Sequence, residues 1–477
     1  MTTTSKLYIN GEWIATDSTF EVTDPATGQV VGYAADADVS HADAAIDAAH
    51  KAFPAWAATP AHKRSQMLYK WYNLIMEQRN ELAAILTGEM GKPLMEAKGE
   101  LINAAGFVQW YAEEAKRVHG ETIPHLEPTK RITVLKQPVG VVSAITPWNF
   151  PAGMITRKVA PALAAGCTIV LKPAEQTPLT AVRLIELAEQ AGFPAGVINL
   201  ITTSKPAEVG TMLTTDKRVR KVTFTGSTEV GKLIARNAAD TVKRVSLELG
   251  GHAPFIVFDD ADIKKAVFGL INSKYRNAGQ TCICTNRVYV HKNIAEEFVK
   301  AAAEEVQKQF KLGHGLEKET TMGPLIDQQA LDKATLHVED AVSKGATVVT
   351  GGKRHGEQGY FFEPTLLSGV TEEMRIATEE TFGPVAPVFT FETEQEVLAR
   401  ANNSDYGLAA YVYTNDLGRS IRMSEGLEYG IVGVNDPMPA NAVQAPFGGM
   451  KQSGLGREGG HYGMEPFLEV KYISTGF

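Results

Sequence analysis

The apolar positions change period along the chain, and each change marks a different kind of element. Residues 41 to 118 set Ala, Leu and Ile at helical spacing among charged residues, as in HADAAIDAAHKAF and ELAAILTGEM, which predicts amphipathic helices. From 119 to 137 the texture breaks. GETIPHLEPTKRITVLKQPVG holds three prolines and a short β-like run, a pattern suited to an arm or hairpin rather than core. Between 139 and 250 the pattern becomes strand, turn, helix, repeated: GVVSAITPW then PAGMITRKVAPALAAG, CTIVLKP then TAVRLIELAEQAG, GVINLIT then PAEVGTMLTT, VRKVTFTG then STEVGKLIARNAAD. This alternation predicts parallel strands with right-handed crossovers, a doubly wound sheet. After Gly251 a second α/β round follows in APFIVF, RVYVHKN, IAEEFVKAAAEEVQKQF, ATVVTGG, VAPVFTF, EQEVLARANN and GLAAYVYT, and LEVKYIST at the end alternates as if to pair with the early arm.

Composition narrows the picture. A chain of 477 residues exceeds what one core usually serves, so two or three units are expected. A formal net charge of -8 argues against non-specific nucleic-acid binding, which needs a basic surface. It leaves an anionic substrate open, because net charge says nothing about a pocket interior. MTTTSKLYINGEW has no apolar stretch behind a basic head, and the apolar runs VGVVSAI and CTIVL stop well short of the roughly 20 residues that span a bilayer. Three cysteines, Cys167, Cys282 and Cys284, make a disulfide framework unexpected and suggest a reducing compartment, with the cytoplasm as default. No His or Cys pair has metal-ligand spacing, so no metal site is expected.

Five turns carry candidate chemistry. In FTGSTEVG a β-rich run ends at Gly226, and Ser227 or Thr228 can cap the next helix. That helix start would suit a pyrophosphate, though G-x-G-x-x-G is absent and, taken alone, an ordinary capped turn is the better reading. In LKPAEQTP, Lys172 and Glu175 fall just past a strand's carboxyl end, where α/β sheets place ligands. There a carboxylate would accept from a ribose diol and repel a 2′-phosphate, or the two would form a surface ion pair. In TPWNFP, Pro151 suits a first helical turn and Asn149 lies in the turn before it. Its amide could donate to an oxyanion, or make only local backbone bonds. In LELGG, Glu248 sits among leucines, a setting that raises a carboxyl pKa toward general-base range unless a cation such as Arg244 or Lys243 pairs with it. In NAGQTCICTNR, Cys282 lies between Gly279 and a polar turn, as a nucleophile or as an inert thiol.

Taken in order, PWNFP, KPAEQTP, FTGSTEVG, LELGG, GQTC and EETFGP resemble the aldehyde dehydrogenase superfamily over essentially the whole chain. The resemblance implies an α/β fold with a doubly wound Rossmann-type cofactor domain (1–118 and 138–250), an α/β catalytic domain (251–447) and a small β oligomerisation arm (119–137 and 463–477), assembled as a homodimer or homotetramer. It implies Cys282 as nucleophile, Asn149 with the Cys282 backbone N–H as oxyanion donors, and Glu248 as the base that releases the acid. Lys172 and Glu175 match adenosine-ribose contacts. Trp148, Gly226 and Ser227 match residues around the pyrophosphate and nicotinamide, and Glu380 and Phe382 match contacts to the nicotinamide ribose. Glu175 favours NAD over NADP.

Arg157 and Arg276 stand near this chemistry, where two guanidinium groups could bind a carboxylate unless each pairs with a protein acid. TRKVAPALAAGCTIVLKPAEQTP, KYRNAGQTCICTNR and PFGGMKQSGLGREGG are similar to succinate-semialdehyde dehydrogenases. The loop NDPMPANAVQAPFGG departs from that group, being one residue longer and lacking its serine. Asn441 is the substitute there, and glutarate or 2-oxoglutarate semialdehyde is the alternative substrate. Cys284, two residues past the nucleophile, would share its face on an extended segment as a redox partner, or serve as packing. A cofactor-free cysteine hydrolase or acyltransferase could use Cys282 and Glu248, but leaves Glu175, Glu380 and FTGSTEVG without a task. A non-catalytic binding protein would be expected to lack Cys282, Glu248 or Asn149.

Overall fold

The structure, a computed structural model, describes residues 4–477; the first three residues of the N-terminal segment lie outside the described residues. The strand-turn-helix run builds the first sheet. Its five parallel strands lie in the spatial order Ile198–Leu200, Thr168–Lys172, Val141–Ile145, Val219–Thr225 and Arg244–Glu248. Four of the five are buried along most of their length, which is why they read as continuous apolar runs rather than alternating ones. The order reverses between the first strand in sequence, Val141–Ile145, and the fourth, Val219–Thr225. Such a switch point opens a crevice at the strands' carboxyl ends. Antiparallel edges close the sheet: Leu7–Ile9 and Glu12–Ile14 on one side, Gly454–Leu455 on the other.

The helices Val39–Ala57, Ala61–Glu77, Arg79–Met90 and Leu94–Glu114 cover the region expected to be helical. The latter three pack with Pro151–Ala165 and Pro178–Ala191 in one core on one face of the sheet, while Val39–Ala57 joins the core on the other. A second sheet, Thr347–Thr350, Thr365–Ser368, Val385–Phe391, Thr285–His291, Ala253–Val257, Ala409–Tyr413 and Ile431–Val434, is parallel except for its first strand and has its own core. The proline-rich stretch and the C-terminus do pair. Leu468–Gly476 runs antiparallel to Lys130–Pro138, which carries Glu121–Ile123 on its other edge. One strand crosses the expected division of the chain: Gly454–Leu455 returns from beyond the second sheet to pair with Leu247 and Glu248. No described helix is long and apolar enough to cross a membrane.

Candidate active site

Two cavities meet at Cys282. One, about 350 Å³, is lined by Trp148, Asn149, Gly226, Ser227, Glu380 and Phe382 among others. The second, about 500 Å³, holds Arg157, Arg276, Phe150, Asn441 and Phe447. Cys282 is on both linings, so a molecule in either can reach the same sulfur.

The turn carrying that sulfur needs unusual backbone. Asn277, Ala278 and Gly279 have φ of 55°, 53° and 74°, left-handed values that cost an L-residue free energy. At Gly279 a Cβ would also collide with the Gly383 carbonyl, so glycine is required by space as well as by φ. The segment then turns rather than running extended: the Cys284 N–H donates to the Thr281 carbonyl at 3.0 Å. This corrects the expectation that Cys282 and Cys284 share a face. Cys284 is buried with its Sγ 3.2 Å from the Lys274 ammonium, whereas Cys282 faces the cavities. Burial pushes the Cys282 thiol up to about 12, with Arg157 opposing.

Asn149 is buried at the end of Val141–Ile145 and the start of Pro151–Ala165. Its Nδ2 donates to the Gln280 carbonyl at 3.0 Å, leaving one N–H free on the cavity side, and its Oδ1 has no partner. Glu248 ends its strand with both carboxylate oxygens unpartnered and 2 % of the residue exposed. Burial, then the neighbouring Glu458, raises its pKa well above the ordinary carboxylate value. The cations proposed from sequence are not its partners: Arg244 pairs with Glu469, and Lys243 with the Asp216 and Val219 carbonyls. Glu248 lines neither cavity; its Oε1 lies on the Gly448 side, 3.0 Å from where a Cβ would stand.

The two arginines differ. Arg157 Nε lies 3.2 Å from Glu458 Oε2, and its guanidinium stacks 4.0 Å from the Phe447 ring centre. Glu458 also holds the Lys158 ammonium. Arg157 therefore has a protein acid, though its Nη2 remains unpartnered. Arg276 lies 5.4 Å from the Phe150 ring centre and has no ion pair or hydrogen bond among the described residues. Glu458 was not singled out in sequence because its partners lie 300 residues away.

In the smaller cavity, Glu380 Oε1 accepts from the Gly251 N–H at 3.0 Å, and burial raises its pKa to about 7. Gly250 leaves the room: a Cβ there would stand 2.8 Å from Glu380 Oε2. Phe382, at φ 55°, meets the Trp148 ring edge-on at 5.5 Å. Ser227 caps Thr228–Ala239, its hydroxyl accepting from Val230 N–H at 3.3 Å. Lys172 is buried, with Nζ 3.7 Å from Glu175 Oε2, and neither lines this cavity. They lie beyond it, at the carboxyl end of the adjacent strand.

Comparison with known proteins shows the family. The Aldehyde dehydrogenase family profile matches residues 13–473. The chain is 55% identical to the glutarate-semialdehyde dehydrogenase of Pseudomonas putida over 98% of its own length and 96% of the relative's. It is 53% identical to the succinate-semialdehyde dehydrogenase [NADP(+)] GabD of Escherichia coli, covering 98% and 97%. The crystal structure of an aldehyde dehydrogenase from Brucella melitensis biovar abortus superimposes with a TM-score of 0.97 at 54% identity, covering 99% of this chain and 97% of the other. The chain belongs to the aldehyde dehydrogenase family.

Proposed function

We infer that this chain oxidises an ω-semialdehyde, succinate semialdehyde first, to the dicarboxylic acid through a thioester on Cys282. The observation that carries the substrate class is Arg276, a cation with no salt-bridge partner among the described residues, in a cavity that reaches the nucleophile and has Glu96 on its lining. A carboxylate on Arg276 and the free Arg157 Nη2 would leave the aldehyde end directed at Cys282. Glutarate semialdehyde is the second reading, favoured by the longer loop that lacks the serine; its Asn441 lines the cavity, and the Asn441 backbone carbonyl accepts from Asn103.

The nicotinamide and pyrophosphate part of a dinucleotide fits the smaller cavity, because Gly250 keeps space open at Glu380 and the Thr228–Ala239 helix starts at its edge. When bound, it supplies the hydride acceptor. The protein's own work is the rest. The Cys282 thiolate attacks the aldehyde carbon, and the Asn149 amide and Cys282 backbone N–H hold the oxyanion, each such donor contributing about 3 kcal/mol. Collapse of the thiohemiacetal leaves a thioester. Glu248, after swinging from the Gly448 side toward Cys282, takes a proton from water as that water attacks the thioester carbon, and the acid leaves with the thiolate regenerated. The exposed apolar residues Val470 and Tyr472 on the C-terminal strand support an arm that pairs subunits as a homodimer or homotetramer.

Arg276→Ala is expected to lower kcat/KM for succinate semialdehyde roughly 10- to 100-fold, the loss of a charge-assisted pair, while butanal oxidation changes little. Equal losses on both aldehydes would make Arg276 structural and sink the substrate assignment. Glu175 supports NAD as preferred cofactor, since its half-exposed carboxylate would repel a 2′-phosphate at the ribose. Glu175→Ser is expected to move the kcat/KM ratio toward NADP about 10-fold. An unchanged ratio would contradict the repulsion.

A further inference from the structure

The corner between the helices Arg79–Met90 and Leu94–Glu114, in sequence no more than a break in a helical region, holds four acids and bases that reach three different turns of the site. Gly91 at φ 91° stops the first helix and Pro93 starts the next, turning the side chains on either side inward. Glu89 accepts from the Leu179 and Thr180 N–H groups at 2.7 and 2.8 Å, at the helix start after KPAEQTP. Glu96 accepts from the Asn277 N–H at 2.9 Å, in the left-handed run before Cys282. Glu100 Oε1 accepts from the Ala152 and Gly153 N–H groups at 2.9 and 3.2 Å, in the first turn of the helix that carries Arg157. Lys92, 2 % exposed, donates to Glu100 Oε2 at 2.6 Å and to the Asn149 carbonyl at 2.8 Å, with its ammonium 3.9 Å from the Phe150 ring centre.

We propose that Lys92, held by Glu100, is a positioning residue that fixes Asn149 as oxyanion donor. A buried ion pair is seldom needed for stability, because apolar residues of similar volume serve as well or better. What such residues would lack is a donor for the Asn149 carbonyl. That carbonyl also receives the Asn277 amide at 3.0 Å, and Asn277 and Asn149 both donate to the Gln280 carbonyl. The closed ring ties the residue before the helix to the turn that carries Cys282. Lys92 anchors the ring from behind, so the Asn149 amide holds its direction while charge develops on the substrate oxygen. Its ammonium has three N–H donors, and the carboxylate, the carbonyl and the aromatic face account for all of them.

The proposal rests on Asn149 as oxyanion donor, and a double-mutant cycle separates the two. Single-turnover NADH formation at saturating succinate semialdehyde is measured for wild type, Lys92→Met, Asn149→Ala and the double variant, beside the KM for aldehyde and the thermal midpoint. Lys92→Met is expected to slow the step roughly 10- to 100-fold with the KM for aldehyde little changed. In the Asn149→Ala background the same change is expected to cost no more than about twofold. Glu100→Gln, which keeps the side-chain shape, enters the same cycle and is expected to show a smaller loss confined to enzyme that has Asn149; it keeps the test decisive where Lys92→Met does not fold. Equal losses in both backgrounds would overturn the positioning role. An Asn149→Ala enzyme as fast as wild type would instead overturn the oxyanion assignment itself.

Discussion

Cys282→Ser is expected to lower NADH formation from succinate semialdehyde at least about 1,000-fold, with the fold and the thermal midpoint unchanged. The two side chains differ by one atom, and the half-buried position accommodates either. The chemistry does not. Burial already pushes the thiol up to about 12 with Arg157 opposing, so the nucleophile is scarce until a ligand favours the thiolate. A hydroxyl in the same place ionises far less readily, and among the described residues no general base lies within hydrogen-bond distance of Cys282 to take its proton. The expected variant therefore binds both substrates and stalls before the first covalent step. Substantial activity in Cys282→Ser would mean that the sulfur is not the nucleophile.

Glu248→Gln is expected to separate the two halves of the reaction. The first turnover, one NADH per site, should survive as a burst, because attack and hydride departure do not need this carboxylate. The steady rate that follows should fall roughly 100- to 10,000-fold as the thioester accumulates. The pH profile carries the same assignment. Burial and then Glu458 hold the Glu248 pKa well above the ordinary carboxylate range, so the group is protonated, and useless as a base, at pH values where exposed carboxylates are ionised. The wild-type steady rate should therefore rise with pH through a range above that of ordinary carboxylates and fall on acidification. In Glu248→Gln that limb should vanish. A variant with no burst, or with an unchanged steady rate, would place the base elsewhere.

How far the sequence alone leads depends on how local the physics is. The four parallel strands from Val141 to Thr225 were legible because both faces are buried and each is a short apolar run followed by a capped or proline-started helix. The turns at Asn149, Gly226 and Ser227 were legible for the same reason, since strand-helix junctions on one side of such a sheet converge. Pairings across the chain were not. For Arg157 the sequence offered a substrate carboxylate or a protein acid without naming one, and Glu458, from the far end of the sequence, shares its charge with it and with Lys158. The segment from Cys282 to Cys284 was read as extended, and one backbone hydrogen bond to Thr281 turns it. Lys92 and Glu100 drew no separate reading from the sequence; packing against Pro151–Ala165 makes them interior. A GKP corner with acids spaced around it, in a helical region otherwise rich in Ala and Leu, was the one signal available.

The most direct test of the central claim is to quench wild type within a single turnover with succinate semialdehyde and nicotinamide dinucleotide, and to locate the acyl group by tandem mass spectrometry. The expected result is one succinyl group per chain on Cys282, appearing in step with one NADH and persisting in Glu248→Gln. NADH formed without an acyl-enzyme, or an acyl group on Cys284 or any other residue, would contradict the thioester mechanism built on Cys282.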